Sequence, residues 1–147
     1  MFKHIFLPTD GSDLSFKTAQ EAVNFAKEIN AKITVFFAQP EYPAAYFGES
    51  ALADPAAPEH FTELTNQKAE RYLADIEKLA KDAGVECKTI SVVSDAPYRA
   101  IIDNATQENC DLIFMASHGR RGLAALLLGS ETKRVIDHSQ IPVLVYR

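Results

Sequence analysis

Short apolar runs alternate with longer amphipathic segments along the whole 147-residue chain. Leu112–Ala116 shows the pattern best, because it has no polar alternation and suits a strand covered on both faces. We assign strands to five such runs: 2–8, 31–38, 85–93, 112–116 and 141–146. Strict alternation of strands and helices predicts a doubly wound, Rossmann-like α/β fold, with a parallel sheet, right-handed crossovers and helices on both faces.

Four segments between these runs have helical character. Residues 13–30 place apolar side chains at helical spacing, and residues 59–83 do the same until Gly84 supplies a C-cap. Pro97 suits the first turn of a third helix, and a fourth runs from Ser130 to about His138. The predicted inward positions are Phe16, Ala19, Ala22, Val23, Ala26, Ile29, Phe61, Leu64, Ala69, Tyr72, Leu73, Ile76, Leu79, Ala80, Ala100, Ile101, Ile102 and Ala105.

The charge and the apolar runs exclude several classes of protein. A net charge of −5 argues against a general binder of nucleic acid or anionic membranes, which needs a basic surface. No apolar run approaches the roughly 20 residues of a membrane span. The start of the chain, Met1 to Ile5, lacks the apolar segment of a secretion signal, so we expect a cytoplasmic protein.

The cysteines and histidines give no metal-binding pattern. Cys87 and Cys110 lie far apart without a CxxC motif, so buried free thiols are expected. His4, His60 and His138 have no ligand spacing among them, and we therefore predict no metal site built from protein side chains.

Polar residues and glycines follow the fourth predicted strand. Ser130 is predicted to cap the next helix, whose free N–H groups and positive dipole end favour an anion. Gly119 and Gly129 lack Cβ atoms, so nearby amides can approach a phosphate chain closely. The alternative is that these glycines only make turns and that Ser130 is a cap without a ligand. The residue types alone leave the two interpretations open.

The first predicted strand ends in the segment Pro8-Thr9-Asp10-Gly11-Ser12. Ligands of open parallel sheets lie beyond the carboxyl ends of strands, so Asp10 is expected at the ligand edge. An Asx turn or a helix cap is an equally weighted role for Asp10.

The spacing Ala116-x2-Gly119-x9-Gly129-Ser130 resembles the nucleotide loop of the universal stress protein family, G-x2-G-x9-G-S/T, with alanine at the first glycine. The segments PTDGS near the start and IPVLVY near the end are also similar to that family, so the resemblance covers almost the whole chain. It implies a single domain over residues 1–147, the strand order 3-2-1-4-5, and a homodimer joined through strand 141–146.

The resemblance also implies an adenine-nucleotide site for ATP or another adenylate, with Mg²⁺ arriving on the nucleotide. Asp10 and Ala116 would lie near the ribose, Ala38 would border adenine, and Arg120 could reach phosphate oxygens. The implied nucleotide-binding residues are Pro8, Thr9, Asp10, Ala38, Ala116, Ser117, His118, Gly119, Arg120, Gly129, Ser130, Glu131 and Thr132.

Three functional hypotheses follow. The first is an ATP-binding regulatory module, the second is a dimeric stress protein without nucleotide, and the third is a slow ATP hydrolase. The intact Gly119 and Gly129-Ser130 favour the first over the second. The third is disfavoured because no P-loop motif and no evident base are present, and His118 beside Ser117 lacks a positioned third group.

Residues 39–58 form a long predicted loop that contains Tyr42, Tyr46 and Phe47. A loop of this length within a domain is unusual. It is either a variable surface insertion or a segment whose aromatic side chains cover a ligand or a partner subunit.

Overall fold

The computed structural model describes residues 1–43, 54–119 and 128–147. These residues form five strands and four helices in strict alternation. In chain order the elements are β1 His4–Thr9, α1 Asp13–Ile29, β2 Lys32–Gln39, α2 Ala57–Ala83, β3 Cys87–Val93, α3 Pro97–Gln107, β4 Leu112–Ala116, α4 Ser130–His138 and β5 Val143–Tyr146.

The five strands form one sheet in the order β3-β2-β1-β4-β5, and every neighbouring pair is parallel. The predicted doubly wound fold and the order implied by the family resemblance are both confirmed. Thr9 pairs with Phe37 and Ala116 pairs with Tyr146, which brings the carboxyl ends of β1, β2, β4 and β5 to one edge. Pro142 directly precedes β5, which is an outer strand of the sheet.

Helices cover both faces of the sheet. Ile33, Val35 and Phe37 of β2 point into one layer, where they pack with residues of α1 and α2. Phe36 points into the other layer, together with Ile101 of α3. The alternation of side chains along one strand therefore supplies both cores, as expected for a sheet buried between two helix layers.

Two predicted core positions are wrong. Phe16 is 39% exposed and Leu64 is 59% exposed. The buried stripe of α1 runs through Ser15, Thr18 and Ala19, so Phe16 lies one position, or about 100°, away from it. In α2 the buried stripe runs through Ala69, Leu73, Ile76 and Ala80, and Leu64 lies similarly off its line.

Leu112–Ala116 and Ser130–His138 have the predicted bounds, and several other element boundaries differ from the sequence assignments by one or two residues. β1 ends at Thr9 because its backbone still pairs with Phe37 of β2 there. The first two residues of the predicted third and fifth strands lie outside the strands, which begin at Cys87 and Val143. Among the described residues, every helix is too short or too polar to cross a membrane.

Candidate functional site

The candidate site lies where the strand order reverses. β1 and β4 are neighbours in the sheet, but α1 after β1 packs in one helix layer and α4 after β4 packs in the other. Open α/β sheets usually bind their ligands in a crevice outside the carboxyl ends of the strands at such a point. The polar segments predicted to bind nucleotide, around Asp10 and Gly119, follow these two strands directly.

Hydrogen bonds fix the turn after β1. The hydroxyls of Thr9 and Ser15 are 2.7 Å apart, and Ser15 Oγ also accepts the N–H of Asp10 at 3.2 Å. Asp10 Oδ1 accepts the N–H of Ser12 at 3.0 Å, so the Asx-turn interpretation of Asp10 is confirmed. Ser12 Oγ in turn caps α1 by accepting the N–H of Ser15 at 3.2 Å. One carboxylate oxygen of Asp10 is thus used to shape the turn.

The other oxygen of Asp10 lies against Gly119. A Cβ added to Gly119 would strike Asp10 Oδ2, so only glycine fits at this position without displacing the carboxylate. The two segments that follow β1 and β4 are therefore in contact. At this contact the Asp10 carboxylate lies beside the backbone of Gly119, which has no side chain.

The segment that enters α4 is held against the end of β4. The N–H of Gly129 donates to the carbonyl of Ser117 at 2.8 Å, and the buried hydroxyl of Thr132 donates to the carbonyl of Ala116 at 3.0 Å. A Cβ added to Gly129 would lie 3.1 Å from His118 Cα, which is tighter than ordinary contact. The first turn of α4 is therefore fixed beside Ser117, His118 and Gly119.

The predicted N-cap at Ser130 is wrong, because Gly129 is the cap. Gly129 has the extended conformation of a cap residue, with φ −60° and ψ 152°, and its carbonyl accepts the N–H of Lys133 at 2.9 Å. The hydrogen bond from Gly129 to Ser117 holds this extended conformation, so the helical backbone begins at Ser130.

This geometry decides which amides can bind an anion. The N–H of Gly129 is already used by Ser117, so it does not contribute. The N–H groups of Ser130, Glu131 and Thr132 make no hydrogen bond to any residue in the described part of the chain. Together with the helix dipole they form a donor set suited to a phosphate group.

The side chain of Glu131 is committed elsewhere. Its Oε2 accepts the N–H of Tyr98, at the start of α3, at 2.9 Å, and its Oε1 accepts from Arg134 Nη1 at 3.0 Å. Tyr98 and Arg134 were not predicted as part of the site, because the separation of 33 residues between Tyr98 and Glu131 leaves no local signal for the contact.

Ser117 and His118 form a pair directly after the carboxyl end of β4. Ser117 is buried, His118 is half-buried, and Ser117 Oγ lies 3.1 Å from His118 Nδ1. Within the described ranges, His118 has no carboxylate partner that would orient its ring. The pair accordingly lacks the third group of a nucleophilic triad among these residues.

The remaining predicted residues are placed as follows. Ala116 is the last residue of β4 and has no positive φ angle, so alanine replaces the family's glycine there without backbone strain. Pro8 and Ala38 are half-buried near the ends of β1 and β2, and Ala38 packs against the core of the α3 and α4 layer. Arg120 lies outside the described residues, as do residues 44–53 of the predicted loop, with Tyr46 and Phe47.

Tyr72 of α2 lies near the site and was predicted only as an inward-facing position of its helix. Gly11 has φ +75°, and a Cβ there would lie within 2.6 Å of three atoms of the Tyr72 ring. The same ring packs on Phe37, with centroids 5.6 Å apart. Tyr72 therefore covers the turn that carries Asp10.

A family model and two related proteins match this chain and carry the same family description. A family model described as the universal stress protein family matches residues 1–147. Universal stress protein MJ0531 of Methanocaldococcus jannaschii is 33% identical over 100% of this chain and 83% of its own length. Universal stress protein YxiE of Bacillus subtilis is 32% identical over the full length of both chains.

Solved structures agree with this result. A universal stress protein crystallised in complex with cAMP superposes with a TM-score of 0.72 at 26% identity, over 99% of this chain and 97% of that one. The solved structure of hypothetical protein MJ0577 superposes with a TM-score of 0.81 at 28% identity, over 99% of this chain and 95% of that one.

Proposed function

Because this chain belongs to the universal stress protein family, we propose that it binds an adenine nucleotide in the crevice between β1 and β4. One observation carries the proposal. Asp10 and Gly119 meet where the strand order reverses, and the N–H groups of the first turn of α4 have no partner among the described residues. A carboxylate and a row of amide donors thus lie at the carboxyl ends of two neighbouring strands, as a ribose and a phosphate chain require.

Each part of the nucleotide is assigned to a part of the site. The N–H groups of Ser130, Glu131 and Thr132 bind phosphate oxygens, with Arg120 as a further donor. Asp10 Oδ2 accepts a ribose hydroxyl beside Ala116, and Ala38 borders the adenine ring beyond β2. The related protein that was crystallised with cAMP supports an adenine nucleotide as the ligand class.

We take ATP as the specific ligand. The amide donors at the start of α4 suit the phosphate end of a nucleotide, and Mg²⁺ would neutralise part of the charge of a triphosphate. We assign this metal ion to the nucleotide, whose phosphate oxygens are the kind of ligand that Mg²⁺ prefers.

The test has two steps. The protein is purified without added nucleotide and denatured, and mass spectrometry identifies any adenylate released. Stripped protein is then titrated calorimetrically with ATP and Mg²⁺, alongside a Gly129→Val variant whose side chain would press on His118. We expect saturable binding by the native chain and weak binding by the variant. No heat at millimolar ATP would leave a stress protein that binds no nucleotide.

We further propose that the protein is a homodimer joined through residues 141–146. Nucleotide binding would then regulate a partner protein in the cytoplasm. β5 pairs only with β4 in the described sheet, and its residues Val143 to Tyr146 are all apolar and only half-buried. Ile136 of the adjacent helix is 42% exposed. An apolar edge strand is a hazard that pairing with a second copy removes.

Light scattering tests the dimer. The native chain is expected at twice its own mass, and Val145→Lys on the edge strand is expected to run as a folded monomer. A native monomer at micromolar concentration would contradict the dimer without bearing on nucleotide binding.

A further inference from the structure

Helix α3 begins without a cap of its own. Ala96 occupies the N-cap position and offers no side-chain acceptor, and Pro97 has no N–H. The first N–H of the helix is therefore that of Tyr98, and such a group needs a partner from outside the helix. It finds one on α4, where Glu131 Oε2 accepts it at 2.9 Å.

Further residues contribute to the contact between α3 and α4. Arg134 Nη1 donates to the other oxygen of Glu131 at 3.0 Å, and its guanidinium lies 5.6 Å from the centre of the Tyr98 ring. One turn further along α4, His138 packs on the same ring with centroids 5.4 Å apart. Tyr98 is thus bound by three residues on one face of α4.

Glu131 lies in the same turn of α4 that is assigned to phosphate binding. Glu131 is the second residue of the helix, and its own N–H belongs to the donor set assigned to phosphate. A carboxylate in that turn would repel a phosphate if it were free to approach. Its bonds to Tyr98 and Arg134 hold the carboxylate against α3 instead.

We propose that Glu131 is a positioning residue that couples the phosphate-binding turn of α4 to the N-terminus of α3. By capping α3, the Glu131 carboxylate fixes the direction of the first turn of α4. The same hydrogen bond holds its negative charge at the N-terminus of α3 and away from the phosphate. Nucleotide bound at the first turn of α4 then stabilises the start of α3 through this hydrogen bond. This inference rests on the proposed nucleotide site and names the element through which that site acts on the rest of the domain.

The test compares three variants with the native chain by ATP calorimetry and thermal unfolding. Glu131→Gln keeps a carbonyl oxygen that can accept from Tyr98, so its affinity is expected within about twofold of native. Glu131→Ala removes the cap and is expected to weaken ATP binding about fivefold. This fold-change corresponds to the free energy that one helix cap typically contributes. Asn104→Ala is the matched control, because it removes a bond within α3, to the carbonyl of Ala100, and leaves Glu131 intact.

A purely structural role would lower the melting temperature of Glu131→Ala as it does that of Asn104→Ala, with ATP affinity unchanged in both. Coupling predicts that affinity falls only in Glu131→Ala and is restored in Glu131→Gln. Hydrogen exchange adds a second measurement: ATP should slow exchange of the Tyr98 amide in the native chain and not in Glu131→Ala.

The outcomes separate the two proposals. A native chain that binds ATP, together with a Glu131→Ala variant that binds equally well, would overturn the coupling alone. Equal weakening in Glu131→Gln and Glu131→Ala would do the same, because the cap would not be the cause. A native chain that binds no ATP would overturn the proposed function and the coupling together.

Discussion

At the scale of single residues, the proposed nucleotide site depends most on Gly119. We predict that Gly119→Ala lowers ATP affinity at least tenfold, because the new methyl group would displace the Asp10 carboxylate from its place beside the loop. Calorimetry measures the affinity and thermal unfolding confirms that the variant is folded. Gly84→Ala is the control, since nothing lies within 4 Å of its Cβ position and Gly84 is distant in sequence from the site. Native affinity in Gly119→Ala would show that the Asp10 contact is unimportant for binding.

Gly11 and Gly84 form a matched pair for stability. Both have φ +75°, but only Gly11 has the Tyr72 ring against its Cβ position. Gly84→Ala is expected to cost about 1 kcal/mol through its left-handed backbone, and Gly11→Ala about 2 to 4 kcal/mol, because overpacking is added to the same strain. Urea unfolding gives both values. Equal costs in the two variants would mean that the ring moves away freely.

These residues also show the limits of sequence reasoning. The turn at Asp10 was predictable, because Asp, Gly and Ser after a short strand have known local chemistry. The cover of Gly11 by Tyr72 was not predictable, since the two residues are 61 positions apart and helical spacing places Tyr72 only on the apolar side of its helix.

At the scale of elements, the start of α4 is held by the Thr132 hydroxyl. Thr132→Val keeps the shape but leaves the Ala116 carbonyl without this donor, so we expect a loss of about 1 to 2 kcal/mol in unfolding free energy. We also expect ATP affinity to fall about 3- to 10-fold, as the first turn loses its tie to β4. Thr106→Val is the control, because its hydroxyl bonds only within α3 and is exposed. An unchanged affinity in Thr132→Val would contradict the positioning role.

Helix ends were predicted well where their cause is local. Gly84 ends α2 in the left-handed conformation that the sequence indicated. The cap of α4 was assigned one residue late, because the extended conformation of Gly129 depends on a hydrogen bond to Ser117, 12 residues earlier. Such a bond forms only when the loop closes on the end of β4.

At the scale of the whole molecule, the buried His4 makes stability depend on pH. His4 is the first residue of β1, at the end of the strand away from the proposed site. Its Nε2 lies 2.8 Å from the Thr34 hydroxyl. Burial, aided by Lys32, lowers the pKa of His4 below 6.5, although Asp111 and Glu108 oppose the shift. Between the lowered pKa and 6.5 the unfolded chain binds more protons than the folded one. Unfolding free energy should therefore fall as pH drops through that window.

His4→Gln tests this dependence, because it removes the titrating group and keeps a polar side chain. Urea unfolding from pH 7.5 to 5 should show a shallower loss of stability in this variant than in the native chain. His60→Gln, at an exposed position, should keep the native slope. The same slope in all three proteins would contradict the assignment to His4.

The architecture followed from the chain's alternation, because short apolar runs between amphipathic helices can bury both sheet faces only in a parallel arrangement. The order of strands came from the family resemblance and is confirmed. Periodicity could not predict contacts between layers, such as Glu131 with Tyr98, because it fixes which side of a helix is buried and not what lies opposite.

The most direct test of the central claim is an amide NMR titration of the isotopically labelled native protein with ATP and Mg²⁺. Saturable shifts are predicted for Asp10, Gly119, Ser130, Glu131 and Thr132. The amides of Lys3 and His4, which bond to Asp111 at the far edge of the sheet, should stay unchanged. Absence of shifts at millimolar ATP, or shifts confined to residues away from the β1 and β4 ends, would contradict the account.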